Sequence, residues 1–389
     1  MKFALLGVDD ETIALAEAAI RAGHTIAAVD GVDRSTLASV AALVKDAKVG
    51  DGWDALLAET GVDAVIVARA PAGPQDARTD QLRTLIQSDM PMIVAHPVVD
   101  SMLVYYELDM TRQDTRCPIV PFAPATWHAA TERLAEIVGQ GDESPIGQVE
   151  QVVMERSMLE RGRSDVLAAF VRDVDMLRAI CGDLNKLGAM STSGTVESTD
   201  FVNLSVQMSG SAGMLVRWSV EPIEQSPGGK LTLTGTRGKA MLQMPANMVE
   251  WKLETRVGDR VTAETWPDWN SADEGIDELT AAIAGRDPNP SWLDGCRDME
   301  LADAITRSLA RGRTIDLYFD EQTEAGTFKG MMAAGGCLLL MLTLGVVIVA
   351  TVLGEKRVLS FWPFALLAML VVFLALQLLK LAFPPEKNV

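Results

Sequence analysis

The hydrophobic positions in the first part of the chain alternate between two patterns. Short continuous apolar runs recur at Lys2–Leu6, Thr25–Val29, Ala64–Ala68, Met92–Ala95 and Pro118–Phe122. Runs of this kind are the mark of strands buried on both faces. Between them lie segments with apolar residues at helical spacing. Glu11–Ala22 carries Ile13, Leu15, Ala16, Ala19 and Ile20, and Gly23 closes it. Arg34–Lys45 places Leu37, Val40, Ala41 and Val44 on one face, Trp53–Ala58 adds a helical turn or two, and Asp80–Gln87 is another helix. Strand alternating with helix predicts a parallel sheet covered on both faces. Ligands of such sheets bind at the carboxyl ends of the strands. Gly7, Asp30, Arg69 and His96 are therefore expected near one crevice.

The pattern changes near Gly147. Val149–Arg156 reads as extended and Val166–Ile180 as helical. Strand-like runs follow at Phe201–Met208, Met214–Glu221, Lys230–Thr234, Lys239–Gln243 and Val249–Leu253, with a turn at Gly235-Thr236-Arg237-Gly238. Successive strands with short turns predict an antiparallel sheet, whose open face can serve a partner subunit or a substrate. Ile276–Ala284 and Asp298–Ala310 read as helices, and Arg313–Leu317 as a short strand.

The tail differs from both parts. Met331–Leu353 and Val358–Leu379 contain no charged residue, and each is long enough to cross about 30 Å of hydrocarbon as a helix. Gly354-Glu355-Lys356-Arg357 between them is a tight turn, so the pair is expected to form a transmembrane hairpin. Trp362 suits the interface near that turn, and Lys380 can anchor the other end. Arg311, Arg313, Lys329, Lys380 and Lys387 lie on the domain side, against Lys356 and Arg357 at the turn. That bias places both termini inside. With no charge inside either span, and Gln377 near an end, an anchor fits better than a transport path. The expected organisation is 1–123, a doubly wound α/β domain; 124–318, an α+β domain with an open, mostly antiparallel sheet; 319–330, a linker; and 331–380, the hairpin.

Composition narrows the function. The chain has 389 residues and a net charge of −19, and the tail is not the source of the acidity. No basic stripe is present, which argues against nucleic-acid binding. Cys117, Cys181, Cys296 and Cys337 are scattered, and His24, His96 and His128 have no zinc-ligand spacing, so no metal site is expected. Acids follow at once on a very short N-terminal apolar run, unlike a signal peptide. The soluble domains are therefore expected on the cytoplasmic side of a membrane.

The first turn carries the most informative chemistry. Strand, turn, helix and strand within the first thirty residues form the opening unit of a dinucleotide-binding fold, and Asp30 stands where such folds hold a ribose hydroxyl. A phosphate-binding turn needs glycines so that the backbone can approach the pyrophosphate. Here only Gly7 remains. Val8 follows it, Asp9 stands at the second glycine position and Thr12 at the third, with Asp10 and Glu11 between. Asp9 or Asp10 is expected to cap the helix, with the acids at its positive end. A dinucleotide would meet like charge there.

Several stretches carry a resemblance to a known family. LTLTGTRGKAMLQ looks like a strand–GT[KR]G–strand element, LADAITRSLARGRTIDL like a closing helix and strand, and VRDVDMLRAICGD like a His-x-x-Asp-x-x-x-x-x-x-Gly helix; VDAVIVA and MIVAHP fall in the expected order. Together they resemble the glucose–fructose oxidoreductase/inositol dehydrogenase/MocA (Gfo/Idh/MocA) family over about residues 1–318, with the hairpin lying outside its usual core. The resemblance implies an N-terminal Rossmann domain, a C-terminal α/β domain with an open sheet, a nicotinamide cofactor, a small-molecule substrate and a homo-oligomer. It implies cofactor contacts at Gly7, Val8, Asp9, Asp30, Ala68 and Arg69. NAD is favoured over NADP, because a carboxylate at Asp30 would repel a 2′-phosphate.

The departures fall on the chemistry. Where the family has Glu-Lys-Pro, this chain has Ala95-His96-Pro97, so His96 replaces the family lysine as the candidate catalytic residue. Where the family often has Asp-x-x-x-His, this chain has Ala168 and Arg172. An imidazole can act as a base near neutral pH, whereas a guanidinium stays protonated and can instead hold an anionic group of a substrate. The expected function is a membrane-anchored NAD(P)-dependent oxidoreductase-like protein with a sugar- or polyol-class ligand and a degenerate catalytic site. The alternative is a non-catalytic sensor or scaffold that binds a nucleotide or metabolite at the inner membrane face.

Overall fold

The computed structural model describes residues 1–31, 40, 43, 47–49, 61–69, 76–191, 200–201, 203–210, 213–222, 227–246, 250–267 and 269–317. Residues 1–318 form one compact unit. The two apolar spans of the tail, the segment Trp53–Ala58 and nearly all of Arg34–Lys45 lie outside the described residues. Among the described residues no helix is long and apolar enough to cross a membrane.

The first part is a six-stranded parallel sheet. Its strands are β1 (Lys2–Leu6), β2 (Thr25–Asp30), β3 (Lys48–Val49), β4 (Ala64–Val67), β5 (Met92–Ala95) and β6 (Ile119–Phe122), in the spatial order β3-β2-β1-β4-β5-β6. That is the doubly wound order whose crevice opens at the strand ends. β4, β5 and β6 are buried at every position, as strands covered on both faces must be. Helix α1 (Asp10–Arg21) starts where Asp9 and Thr12 form a reciprocal capping box, and it buries Leu15, Ala16 and Ala19. Helices α2 (Asp76–Gln87), α3 (Met102–Thr115) and α4 (Ala129–Gly139) follow in chain order.

α3 and α4 are absent from the sequence-based expectation. For α3 the reason is visible: Leu103 and Met110 are exposed while Asp109 is buried, so its polarity pattern is blurred. Asp109 is stabilised by Arg112 and Gln113, one turn further along the same helix.

The second part is a nine-stranded sheet. It contains β7 (Val149–Met158), β8 (Leu184–Ser191), β9 (Leu204–Gly210), β10 (Leu215–Pro222), β11 (Gly228–Gly235), β12 (Gly238–Pro245), β13 (Trp251–Val257), β14 (Arg260–Trp266) and β15 (Ile315–Asp316). The order is β14-β13-β12-β11-β7-β10-β9-β8-β15, and β7 pairs with β10 in parallel while the other pairs are antiparallel. β14 is exposed along most of its length, so no alternation marks it in the sequence. One face is covered by helix α5 (Arg163–Cys181) and the long helix α7 (Trp292–Arg311). Phe170 of α5 meets the buried Trp218 of β10 edge to face, with centroids 5.3 Å apart.

Helix α6 (Ser271–Ile283) follows the second sheet in the chain and packs on the first. Ala272, Ile276, Leu279 and Ala282 join the core formed by Phe3, Leu5, Leu15, Ile66 and Ile93. The close approach depends on Gly275. A Cβ there would stand 3.0 Å from both Leu15 and Phe122, and 3.1 Å from Ile93. Gly275→Val is therefore expected to destabilise the protein by about 1–3 kcal/mol through overpacking. Denaturant unfolding of the variant against wild type measures this.

Candidate functional site

The site begins at the carboxyl ends of β1, β2 and β4. Gly7 leaves β1 with φ +80° and donates its amide to the Asp30 carbonyl at 2.8 Å. The Ala68 amide donates to the Leu6 carbonyl at 3.0 Å, which places Ala68 beside Gly7. Val8 packs against the hydrophobic core. Asp9 is the N-cap of α1. One oxygen of its carboxylate accepts from the Thr12 amide at 2.8 Å, and the other accepts from the Arg69 amide at 3.1 Å. The carboxylate thus spans from the helix start to the end of β4. The fold brings Gly7, Val8, Asp9, Asp30, Ala68 and Arg69 to one place, and Asp9 there uses amides that a phosphate would otherwise meet.

Three cations surround this acidic turn. Arg69 bonds Asp100 at 2.8 Å and the Ser164 hydroxyl at 3.3 Å. Arg172 of α5 bonds Glu11 at 2.7 Å and donates from Nε to the His96 carbonyl at 2.8 Å. Arg78 of α2 is buried against Gly7. Burial raises the Glu11 pKa, and Arg172 opposes that rise.

His96 ends β5 and is 1% exposed. The Tyr105 hydroxyl accepts from the Val98 amide at 2.9 Å and meets His96 Nδ1 at 3.1 Å. The hydroxyl proton therefore goes to Nδ1, which leaves the ring proton on Nε2, a tautomer assigned from the network. Nε2 faces Asp298 at 3.5 Å. Asp298 is fully buried and accepts from Arg178 at 2.8 Å. Asp175 lies in the same cluster and accepts from the Thr126 hydroxyl at 2.5 Å. Burial pushes the Asp175 carboxyl up to about 8 and the Asp298 carboxyl up to about 6, and pushes His96 down to about 4.

A cavity of about 440 Å³ opens beside the turn. Glu11, Arg69 and Arg172 line it from one side, and Arg156, Asp173 and Trp251 from the other. Arg156 holds Asp173 through two contacts, one of 2.9 Å from Nε, and Trp218 Nε1 donates to the same carboxylate at 2.8 Å. His96 is not among the lining residues. Among the described residues no lysine, tyrosine or cysteine lines it either. Among the described residues no cluster of histidine, cysteine and carboxylate side chains could hold a metal ion.

Sequence reasoning missed Arg78, Arg156, Tyr105 and Asp298. Each matters through long-range packing, and none belongs to a motif. Glu11, in sequence only one acid of the turn, has its carboxylate on the cavity wall.

No family model matches the chain, and no curated protein matches it. Solved structures do match. A myo-inositol dehydrogenase from Corynebacterium glutamicum is 17% identical with a TM-score of 0.62, over 82% of this chain and 99% of that one. An oxidoreductase from Agrobacterium radiobacter, in complex with NAD+, L-tartaric acid and magnesium, is 18% identical with a TM-score of 0.63, over 81% and 98%. A UDP-N-acetylglucosamine 3-dehydrogenase from Acidithiobacillus ferrooxidans is 18% identical with a TM-score of 0.64, over 80% and 98%. At these identities the likeness is one of fold, and the two-sheet α/β architecture that the family resemblance implied is the one observed.

The buried cluster gives a pH signature. Folded Asp175 holds its proton up to about pH 8, while the unfolded carboxyl releases it near 3.8. Stability from this group is therefore present below pH 3.8 and is lost as pH rises toward 8. His96 acts in the opposite sense, and its contribution is lost as pH falls from 6.5 toward about 4. Between pH 6.5 and 8 the wild type is thus expected to lose about 1–2 kcal/mol, and Asp175→Asn is expected to flatten that slope. Urea midpoints at the two pH values test it.

Proposed function

We propose that this chain is a membrane-tethered, NAD(P)-dependent oxidoreductase-like protein of the Gfo/Idh/MocA type. Its cavity takes a sugar- or polyol-class ligand, and its hydride-transfer machinery is degenerate. The observation that carries this reading is the cavity itself. It sits at the strand ends of a doubly wound sheet, where nucleotide and substrate meet in such folds. Among the described residues its wall offers no lysine, histidine, tyrosine or cysteine; the groups there that could exchange a proton with a hydroxyl are carboxylates, and of these Glu11 and Asp173 are held in ion pairs with Arg172 and Arg156. The solved structures of this fold named above include dehydrogenases of myo-inositol and of a nucleotide sugar, which favours a polyhydroxylated ligand.

The fit to a dinucleotide is uneven. Asp30 stands where a ribose is held, which favours NAD, but the space beside Gly7 is taken by the Arg78 guanidinium and the Ala68 methyl. The amides of Thr12 and Arg69 are engaged by Asp9. A bound nicotinamide would supply the hydride acceptor or donor. The chain's own residues then orient the ligand: Arg172, braced by Glu11 and by the His96 carbonyl, is placed to hold an oxygen of the ligand, and Arg156 faces it across the cavity. His96, enclosed by Tyr105 and Asp298, supports Arg172 through its backbone. Glu11 is the carboxylate of the turn that reaches the cavity.

The second reading, a non-catalytic nucleotide or metabolite sensor at the inner membrane face, is favoured by one observation. The Asp9 carboxylate occupies the Thr12 amide at the helix start, a donor that the cofactor would use.

A fluorescence titration of NADH and NADPH against a chain ended before Gly326 separates the two. Micromolar binding supports the first reading, while no binding at millimolar cofactor replaces it with the second. Arg172→Ala is expected to weaken binding of a cavity ligand about tenfold, read by calorimetry with polyols and sugar acids. His96→Ala is expected to lower the melting temperature without abolishing that binding, and a selective loss of turnover in a substrate screen would instead make His96 the base. For the tether, the full chain is expected to sediment with membranes and to be released by detergent but not by salt, whereas the chain ended before Gly326 stays in the supernatant.

A further inference from the structure

A third cation, besides Arg69 and Arg172, is buried against the turn after β1. Arg78 rises from the first turn of α2 and is 8% exposed. Its guanidinium lies on the turn after β1, where Nη2 stands 2.9 Å from the position that a Cβ on Gly7 would take. Only a glycine admits it there. Nε and Nη1 are buried and have no hydrogen-bond acceptor among the described residues. Asp9 and Asp30 attract the charge, and against them burial lowers the pKa to about 10, so the group stays charged at neutral pH.

A buried guanidinium with open donors is costly, because the water it has lost is not replaced. The chemistry that satisfies it is a compact anion with several oxygens. Its place is the end of β1, where the diphosphate of a dinucleotide crosses a doubly wound sheet. The usual donors of that place are backbone amides at the helix start, and here Asp9 engages one of them, that of Thr12, together with the Arg69 amide after β4. The acid at the second glycine position therefore comes with a cation on the facing helix.

We propose that Arg78 is the diphosphate-binding residue of this crevice, a charged donor in place of the amides that Asp9 engages. The identity of the natural ligand as a nicotinamide dinucleotide rests on the function proposed above, whereas the anion site does not. Arg78 contacts the diphosphate and not a 2′-phosphate, because its guanidinium lies over Gly7. NADH and NADPH should therefore depend on it equally. The competing role is an internal counter-ion to Asp9 and Asp30, which would affect folding but not anion binding.

The test uses the full chain in detergent micelles with four probes: NADH, NADPH, ADP-ribose and inorganic pyrophosphate. Binding is read by calorimetry, and ligand-free melting is recorded for each variant. Arg78→Met, which keeps the apolar stem, is expected to weaken all four probes by about tenfold or more, and Arg78→Lys to recover part of the loss. Wild-type affinity is expected to fall as salt rises, with a shallower slope in Arg78→Met. Should the methionine variant fail to fold, the lysine variant carries the test, with an expected loss of several-fold common to all probes.

Unchanged affinities in a folded variant overturn the inference, as does a loss confined to NADPH or a wild type that binds none of the four. Arg78-dependent binding of ADP-ribose and pyrophosphate without NADH or NADPH would uphold the anion site and overturn the oxidoreductase reading. Tight NADH binding untouched by Arg78→Met would do the reverse.

Discussion

Asp298 lies fully buried on α7 between the two sheets and accepts a hydrogen bond from Arg178 of α5 at 2.8 Å. A buried carboxylate is tolerated only when it is paired and bonded. Asp294, one turn earlier on α7, takes the other end of the same guanidinium at 2.9 Å. On the far side His96 brings the end of β5 to within 3.5 Å of Asp298, and Tyr105 braces His96 from α3 while stacking on Trp292 of α7 at 4.6 Å. The long helix, the helix over the second sheet and the strand ends of the first sheet thus converge on one polar cluster in an apolar interior. Removing one partner from such a cluster leaves the others without compensation, so the arrangement specifies how the elements meet.

The cavity follows from that convergence. Once α5 is held by Arg178, its residue Arg172 is delivered to the turn after β1 and reaches Glu11 and the His96 carbonyl. On the same helix Asp173 points the other way, into the second sheet, where Arg156 and Trp218 hold it. The helix therefore works as a partition. One face closes the second sheet, and the other presents a cation to the strand ends of the first. The acids of the opening turn are integrated in this frame: Asp9 caps α1 and receives the Arg69 amide, Glu11 braces Arg172, and Arg78 lies over Gly7 with both carboxylates of the turn region in its field.

The parallel sheet, its strand order and the second sheet need only apolar runs and turns. His96 after β5 and Arg172 on α5 add polar chemistry to that framework without disturbing it. An imidazole enclosed by Tyr105, Asp298 and the surrounding core has its charged form disfavoured, whatever its position in a motif. A guanidinium at the cavity edge keeps its charge and is suited to holding an oxygen.

Much of the fold was legible from residue order alone. Continuous apolar runs at β1, β2, β4, β5 and β6 admit little besides buried parallel strands, and Asp9 before an amphipathic segment specifies a helix start. These are local properties, determined by backbone hydrogen bonding and side-chain periodicity. The gathering of Gly7, Asp30 and Arg69 at one crevice followed from topology once the strands were known. What only the tertiary structure decided is which polar groups are buried and with whom. α6 crossing back to the first sheet through Gly275, His96 withdrawing from the cavity, and Arg78 settling over the opening turn all depend on contacts between residues far apart in the chain. Charge and hydrogen bonding in an interior depend on distance and desolvation, and neither is written in sequence spacing.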